Sequence, residues 1–390
     1  MRLSHLLTSL PPYHFAEYNR KIAERRAAGA DIINLSMGDP DLPTAPEVIA
    51  ALTEAAQQPI NQRYPEYAGM PELRAAFAAW FARRFGVTLD PAREVLPLIG
   101  SKEGLAHLPM ATIDPGEVAI LTDPAYPVYP TAVALAGGTS YALPLDHQSG
   151  WLPDLGAIPA EVLAKARALW LNYPNNPTGA AAPPAFFAAA VAFAREHDLL
   201  LVHDTAYSEV RYDGARPASI LETPGAKEVA VEFHSLSKAY NMAGFRVGML
   251  VGNALVVEGM TRLKSNLDSG IFRPIQLAAI RAMSLPESWL EQRNAIYQGR
   301  RDRLVVALRA LGMAVDPPQA GLYLWPRIPA GMTSGEFALS LLDRADLAVT
   351  PGTNFGARGE GYVRISLTSP DARIDEAIAR LRATIPALAK

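Results

Sequence analysis

Short apolar runs alternate with longer helical stretches through the middle of this chain, and that rhythm limits what it can fold into. Runs at 95–99, 117–121, 168–171, 199–203, 229–233 and 247–251 are rich in Val, Ile and Leu, and most end abruptly at a polar residue. Near-continuous apolar character in strands this short means burial on both faces, as in a mostly parallel sheet with helices on either side. The intervening stretches have helical periodicity. Residues 69–85, for example, put Leu73, Phe77, Trp80 and Phe81 on one stripe. The expected fold is therefore α/β, a three-layer αβα domain built on a mostly parallel sheet. The residues just beyond the strand ends (Ser101, Lys102, Asp123, Asn172, Asp204, Ser235) lie where such sheets bind ligands.

The pattern changes after about residue 283. A long helix over 289–311, an alternating strand at 321–326, a helix at 334–344, a strand at 362–367 and a closing helix at 371–385 read as a smaller α+β unit. Two domains are expected, a large one over 41–282 and a small one made of 1–40 and 283–390. A chain of 390 residues that is 49% hydrophobic is long enough for both cores. Its 36 basic and 39 acidic residues leave a formal charge of −3, which gives no reason to expect nucleic acid. The chain has no cysteine, which excludes disulfides, thiolate metal sites and a thiol nucleophile, and no metal is expected. No run is long and apolar enough to suggest a membrane span, and no basic-then-apolar leader is evident, so the cytoplasm is the expected compartment.

Chemistry concentrates in Ser235-Leu-Ser-Lys-Ala-Tyr-Asn-Met-Ala-Gly-Phe-Arg246. A lysine amine can condense with an aldehyde, while two hydroxyls and a guanidinium can hold a phosphate. Pyridoxal phosphate carries both groups. Taken singly, Lys238 reads as a surface lysine, Ser235 and Ser237 as helix caps, and Arg246 as an edge charge. Asp204 ends an apolar run and needs a partner; a protonated pyridine nitrogen is one, and a turn or helix-cap role is the plainer alternative. Tyr207 and Asn176 can bond a ring oxygen, or serve as a buried tyrosine and a turn residue. Tyr126 can stack on the ring, or simply pack its loop. Ser101 and Lys102 stand where a strand becomes a helix, a place suited to phosphate. Arg364 lies in an otherwise apolar strand. It either faces solvent by alternation or is buried as a fork for a carboxylate.

The order and spacing of Asn176-Pro177-Thr178-Gly179, Asp204 with Tyr207, Ser235-x-Ser237-Lys238 with Arg246, and Arg364 resemble the class I and II aminotransferases of pyridoxal-phosphate fold type I. The resemblance extends over nearly the whole chain. It implies Lys238 as the amine that holds the cofactor and moves the substrate's α-proton, with Asp204 and Tyr207 tuning the ring and Arg364 holding the α-carboxylate. It adds Gly38 as a backbone contact near that carboxylate, and Tyr64 as a phosphate contact reaching into a neighbouring subunit. A homodimer with shared sites, acting on small amino acids and 2-oxo acids, follows from the same resemblance.

Within the family, Lys264-Ser-Asn-Leu-Asp-Ser-Gly270 resembles the bacterial LL-diaminopimelate aminotransferase branch, and lysine biosynthesis is the expected setting. Succinyldiaminopimelate, aspartate and alanine aminotransferases remain alternatives, as does a carbon–sulfur β-lyase using the same cofactor. Arg20, Arg273 and Arg358 are the candidates for reading a distal substrate carboxylate, and spacing does not rank them.

Overall fold

The computed structural model describes residues 1–10 and 16–388. Its strands are β1 (Ile33–Asn34), β2 (Val95–Leu98), β3 (Val118–Asp123), β4 (Thr139–Pro144), β5 (Ala166–Asn172), β6 (Leu200–Asp204), β7 (Ala230–Ser235), β8 (Gly248–Gly252), β9 (Tyr323–Leu324), β10 (Leu347–Ala348), β11 (Thr350–Pro351) and β12 (Val363–Ser366). A seven-stranded sheet in the order β2-β8-β7-β6-β5-β3-β4 forms the large domain. Only β8 runs antiparallel to its neighbours. Side chains alternate across it, so consecutive residues feed opposite cores. Leu169, Leu171 and Leu201 pack on one face with Phe77, Phe81 and Phe187. Ala168, Trp170, Val202, Val231 and Phe233 pack on the other with Leu105 and Tyr129. Each fully buried side chain of this size contributes about 1.5–3 kcal/mol relative to exposure.

The expected runs appear as strands, with ends shifted by one or two residues. The sequence reading did not anticipate β4. It is an edge strand, exposed along most of its length, so it lacks the apolar run that marks the central strands. The alternating strand expected at 321–326 shrinks to β9, and all six of those residues are buried instead of alternating. Phe15, the expected start of the first long helix, lies outside the described residues, and that helix is observed over Ala16–Ala27.

The small α+β domain has a three-stranded sheet, β11-β12-β9. Helices Ser334–Ala345 and Asp371–Leu388 cover it through Phe337, Leu341, Ile374, Ile378 and Leu381. The N-terminal segment joins this unit because β1 pairs in parallel with β10, Ile33 against Leu347. The helix Glu287–Ala310 ties the two domains together. Its Leu290 packs in the large core, while Tyr297, Leu304 and Leu308 pack in the small one. Among the described residues no helix is long and apolar enough to cross a membrane.

Parallel register brings polar strand ends together. Asn172 stands opposite Asp204 on neighbouring strands, and Asp204 opposite Phe233, two residues before Ser235. All three strands therefore deliver their polar residues to one edge of the sheet, below the loop that follows β1.

Candidate active site

A cavity of about 520 Å³ opens at that edge, between the two domains. Ser101, Lys102, Tyr126, Asn176, Asp204, Tyr207, Ser235, Ser237, Lys238, Arg246, Gly38 and Arg364 all line it. Tyr64 does not, and it is 89% exposed on its own chain. Arg20, Arg273 and Arg358 also lie outside the cavity lining. Arg20 pairs with Glu24 and Arg273 with Glu66.

One end of the cavity is built for an anion. Helix Ser101–Thr112 points its N-terminus there, with Gly100 at the cap in a left-handed conformation, φ 75°. A Cβ at Gly100 would stand 2.1 Å from Arg246 Nη2, so the guanidinium lies against the bare backbone. Gly248 permits the same close approach from β8, since a Cβ there would stand 2.5 Å from Ser101 N. Arg246 Nη1 also donates to Ser237 Oγ at 3.3 Å. Ser235 caps the short helix Leu236–Ala239, accepting from Ser237 N at 3.3 Å, so its plain structural role and its place in the cavity coexist. Backbone N–H groups, hydroxyls and a guanidinium together suit a phosphate dianion.

Asp204 forms another wall. Its Oδ2 accepts from Tyr129 Oη at 2.7 Å and its Oδ1 from Ala206 N at 3.2 Å. Burial raises its pKa despite those two donors. Among the described residues it has no salt-bridge partner, so the site holds a desolvated carboxylate suited to a cationic ligand atom. The loop after β5 is held by its own side chains. Asn172 Nδ2 donates to Asp204 O at 2.8 Å, and Asn172 Oδ1 accepts from Asn176 N at 2.8 Å. Asn175 Oδ1 accepts from Thr178 N at 3.0 Å. Buried asparagines thus replace the partners that this loop's backbone lacks.

Lys238 Nζ donates to Gly38 O at 2.5 Å. Burial lowers its pKa, so more of the amine is unprotonated at neutral pH; Tyr323 and Asp39 act against that shift, and Arg364 and Arg246 with it. Tyr207 Oη and Tyr323 Oη lie 3.0 Å apart. Burial pushes the Tyr323 phenol up, but Arg364, Lys238 and the Tyr207 hydrogen bond outweigh it and leave its pKa lowered. Gly38 has to be glycine here, because a Cβ would fall 1.8 Å from Tyr323 Oη.

Arg364 is buried, at 5% exposure, so the solvent-facing alternative fails. The strand β12 is covered on both faces, and alternation does not carry the guanidinium outward. Arg364 lies 4.0 Å from the Tyr323 ring centroid and 4.6 Å from that of Phe355. It donates to Asn176 Oδ1 at 2.8 Å and to Ser36 O at 2.7 Å. Since the Asn176 oxygen is taken, its amide N–H is the group left to donate elsewhere. A guanidinium clamped by two rings is preorganised for a planar anion.

Tyr129, Tyr323 and Phe355 escaped the sequence reading, and Asn172 was read only as a strand end. Tyr129 left a trace, lying one helical turn past Tyr126 and close to a strand end. Tyr323 and Phe355 are distant in sequence from everything they serve.

The family model for aminotransferase class I and II matches residues 30–381. The chain belongs to that family. As an aminotransferase, it is 53% identical over 381 residues to the LL-diaminopimelate aminotransferase of Dehalococcoides mccartyi, covering 98% of each chain. Among solved structures, substrate-bound BacF from Bacillus subtilis superposes with a TM-score of 0.94 at 37% identity, covering 98% of each chain. A probable N-succinyldiaminopimelate aminotransferase from Thermus thermophilus superposes with a TM-score of 0.90 at 38% identity, covering 95% of this chain and 100% of that one.

The aminotransferase cofactor, pyridoxal 5'-phosphate, fits the residues present. Ser101, Lys102, Ser235, Ser237 and Arg246 would hold its phosphate, in the cradle that bare Gly100 leaves beside Arg246. Asp204 would hold its ring nitrogen and give that buried carboxylate its missing cation. Lys238, Tyr207 and Asn176 line the same cavity as candidates for the aldehyde and ring oxygen.

Proposed function

We propose that this aminotransferase acts on LL-diaminopimelate, moving one of its amino groups to a 2-oxo acid. The reading rests on the match to enzymes of that name across almost the whole chain, of which the Dehalococcoides protein is one. The geometric observation that carries the chemistry is a single cavity holding a half-buried amine, Lys238, a buried carboxylate, Asp204, and a buried guanidinium, Arg364.

Bound pyridoxal phosphate supplies an electron sink for the substrate α-carbon. Arg364 holds the α-carboxylate and Gly38 contributes its backbone beside it. Lys238, released from Gly38 O and unprotonated, takes the substrate's α-proton and delivers it onward, not back to the α-carbon, from the same face. Asp204 would keep the ring nitrogen protonated, while Tyr207 and Asn176 would donate to the ring oxygen. Tyr126 would stack on the ring.

The active form is a homodimer in which Tyr64 reaches the phosphate of the neighbouring site, and its 89% exposure on one chain leaves it free to do so. The setting is cytoplasmic lysine biosynthesis. Succinyldiaminopimelate is the second substrate to test, because the Thermus relative carries that name. The test is a panel of LL-diaminopimelate, succinyldiaminopimelate, aspartate and alanine as donors to 2-oxoglutarate, run with purified holoenzyme. A kcat/KM for LL-diaminopimelate at least tenfold above the others is expected. A higher value for any other donor overturns the substrate assignment, and keto acid released without an acceptor from a β-sulfur donor such as cysteine, with sulfide as the leaving group, would replace transfer by β-elimination.

A further inference from the structure

Arg293 stands outside the cavity, yet it holds the backbone of the lysine inside it. The residue lies on the helix Glu287–Ala310 and is 4% exposed. Its Nη1 donates to Lys238 O at 2.5 Å and to Ala239 O at 2.7 Å. Its Nη2 donates to Glu209 O at 2.5 Å and to Asn294 Oδ1 at 2.7 Å. Among the described residues it has no carboxylate partner. The Glu209 carboxylate is turned to Arg84, whose Nε lies 2.8 Å from its Oε1.

This is a costly arrangement unless the carbonyls need it. A buried guanidinium with no counter-ion forfeits hydration that neutral acceptors only partly restore. The benefit falls on the helix Leu236–Ala239, which is a single turn. At its end Tyr240 N donates to Leu236 O at 3.0 Å, and Met242 N to the same oxygen at 3.4 Å. The carbonyls of Lys238 and Ala239 lie past Leu236 in the last turn, in the group that a helix end leaves unpaired. A planar fork serves both from a fixed direction, which a lysine ammonium on a flexible stem does not do.

The mechanical consequence concerns where the lysine amine swings from. Lys238 has to leave Gly38 O and reach a substrate carbon. Its backbone is held through Arg293 to the helix that joins the two cores. We propose that Arg293 is a positioning residue: it fixes the root of Lys238 so that the amine meets the α-carbon in a reactive geometry. The inference rests on Lys238 being the amine that moves the α-proton.

The test is a double-mutant cycle on the holoenzyme. Arg293→Lys is expected to lower kcat roughly 10- to 100-fold, the scale of an ångström-sized misplacement, with KM changed less than about threefold. The same substitution is then made in Lys238→Ala, with ethylamine added as a free proton carrier. There it is expected to change the rescued rate by less than about threefold, because no tethered amine remains to misplace. An equal loss in both backgrounds overturns the proposal and makes Arg293 a general support of the fold. A second readout needs no cofactor. Acetylation of Lys238 in the apo chain, followed by mass spectrometry against the other lysines, is expected to change severalfold in Arg293→Lys; an unchanged rate contradicts the proposal. If Arg293→Lys gives no soluble protein, Arg293→Gln takes its place. Failure of both to fold overturns the proposal in favour of a purely structural role. Full activity in Lys238→Ala alone would instead remove the catalytic assignment beneath it, a result separable from the others because that variant is measured first.

Discussion

At the scale of single residues, the account assigns distinct losses to distinct side chains. Lys238→Ala is expected to keep its fold and lose at least about 10²–10⁴ in transfer rate, the range associated with a positioned acid–base group. Steady-state kinetics beside a thermal melt checks this. Arg364→Ala removes one partner of a buried, hydrogen-bonded charge and is expected to cost about 2–5 kcal/mol in carboxylate binding, read as a rise in KM for amino acids. A KM within twofold of wild type would reject the carboxylate fork. The depressed pKa of Lys238 has a direct consequence in the apo chain. Its acetylation should reach half-maximal rate at a lower pH than that of exposed lysines, because burial disfavours the ammonium. Residue types were the most legible layer of the sequence. A lysine with neighbouring hydroxyls, an aspartate after pure hydrocarbon and an arginine in an apolar strand each announce a local imbalance. What each touches was not legible. Arg364 had two readings, and only the second covering layer over β12 decides between them. Tyr323 meets Gly38 from 285 positions away in the chain, and no local pattern encodes that contact.

Secondary elements set the geometry within which those residues act. The central strands were readable because burial on both faces leaves unbroken apolar runs, whereas β4 hid because an exposed edge does not require them. Parallel register then does what composition cannot, placing Asn172, Asp204 and Ser235 at one edge of the sheet. The approach of β8 to the helix Ser101–Thr112 depends on an absent side chain at Gly248. Gly248→Ala should push that helix N-terminus off the phosphate position. The expected result is a Kd for pyridoxal phosphate raised about tenfold or more, with a loss of about 1–3 kcal/mol in stability from overpacking. Fluorescence titration of the apo chain measures the first and denaturant unfolding the second. Unchanged affinity would place the phosphate elsewhere.

At the scale of the whole molecule, a buried polar network that the chemistry does not use directly centres on Glu232. Glu232 accepts from His203 Nδ1 at 2.9 Å, His234 Nε2 at 2.5 Å, Ser219 Oγ at 2.9 Å and Ile220 N at 2.8 Å. Burial alone would raise its pKa, but the two histidines pull it down to about 2. An unfolded glutamate takes its proton near about 4.3. The stabilisation is therefore fully present above that value and is lost as pH falls from there towards about 2. Glu232→Gln should lower the melting temperature at pH 7 and flatten its decline between pH 5 and 3. A decline as steep as wild type would show that other carboxylates govern acid unfolding. This network was invisible in the sequence, since His203, Ser219 and Glu232 meet only when β6 and β7 pair.

The central claim is that Lys238 is the residue joined to the cofactor, and one measurement tests it most directly. Holoenzyme is reduced with borohydride, digested and mapped by mass spectrometry. The account predicts a single phosphopyridoxyl adduct, on Lys238. An adduct on another lysine, or none, would contradict it.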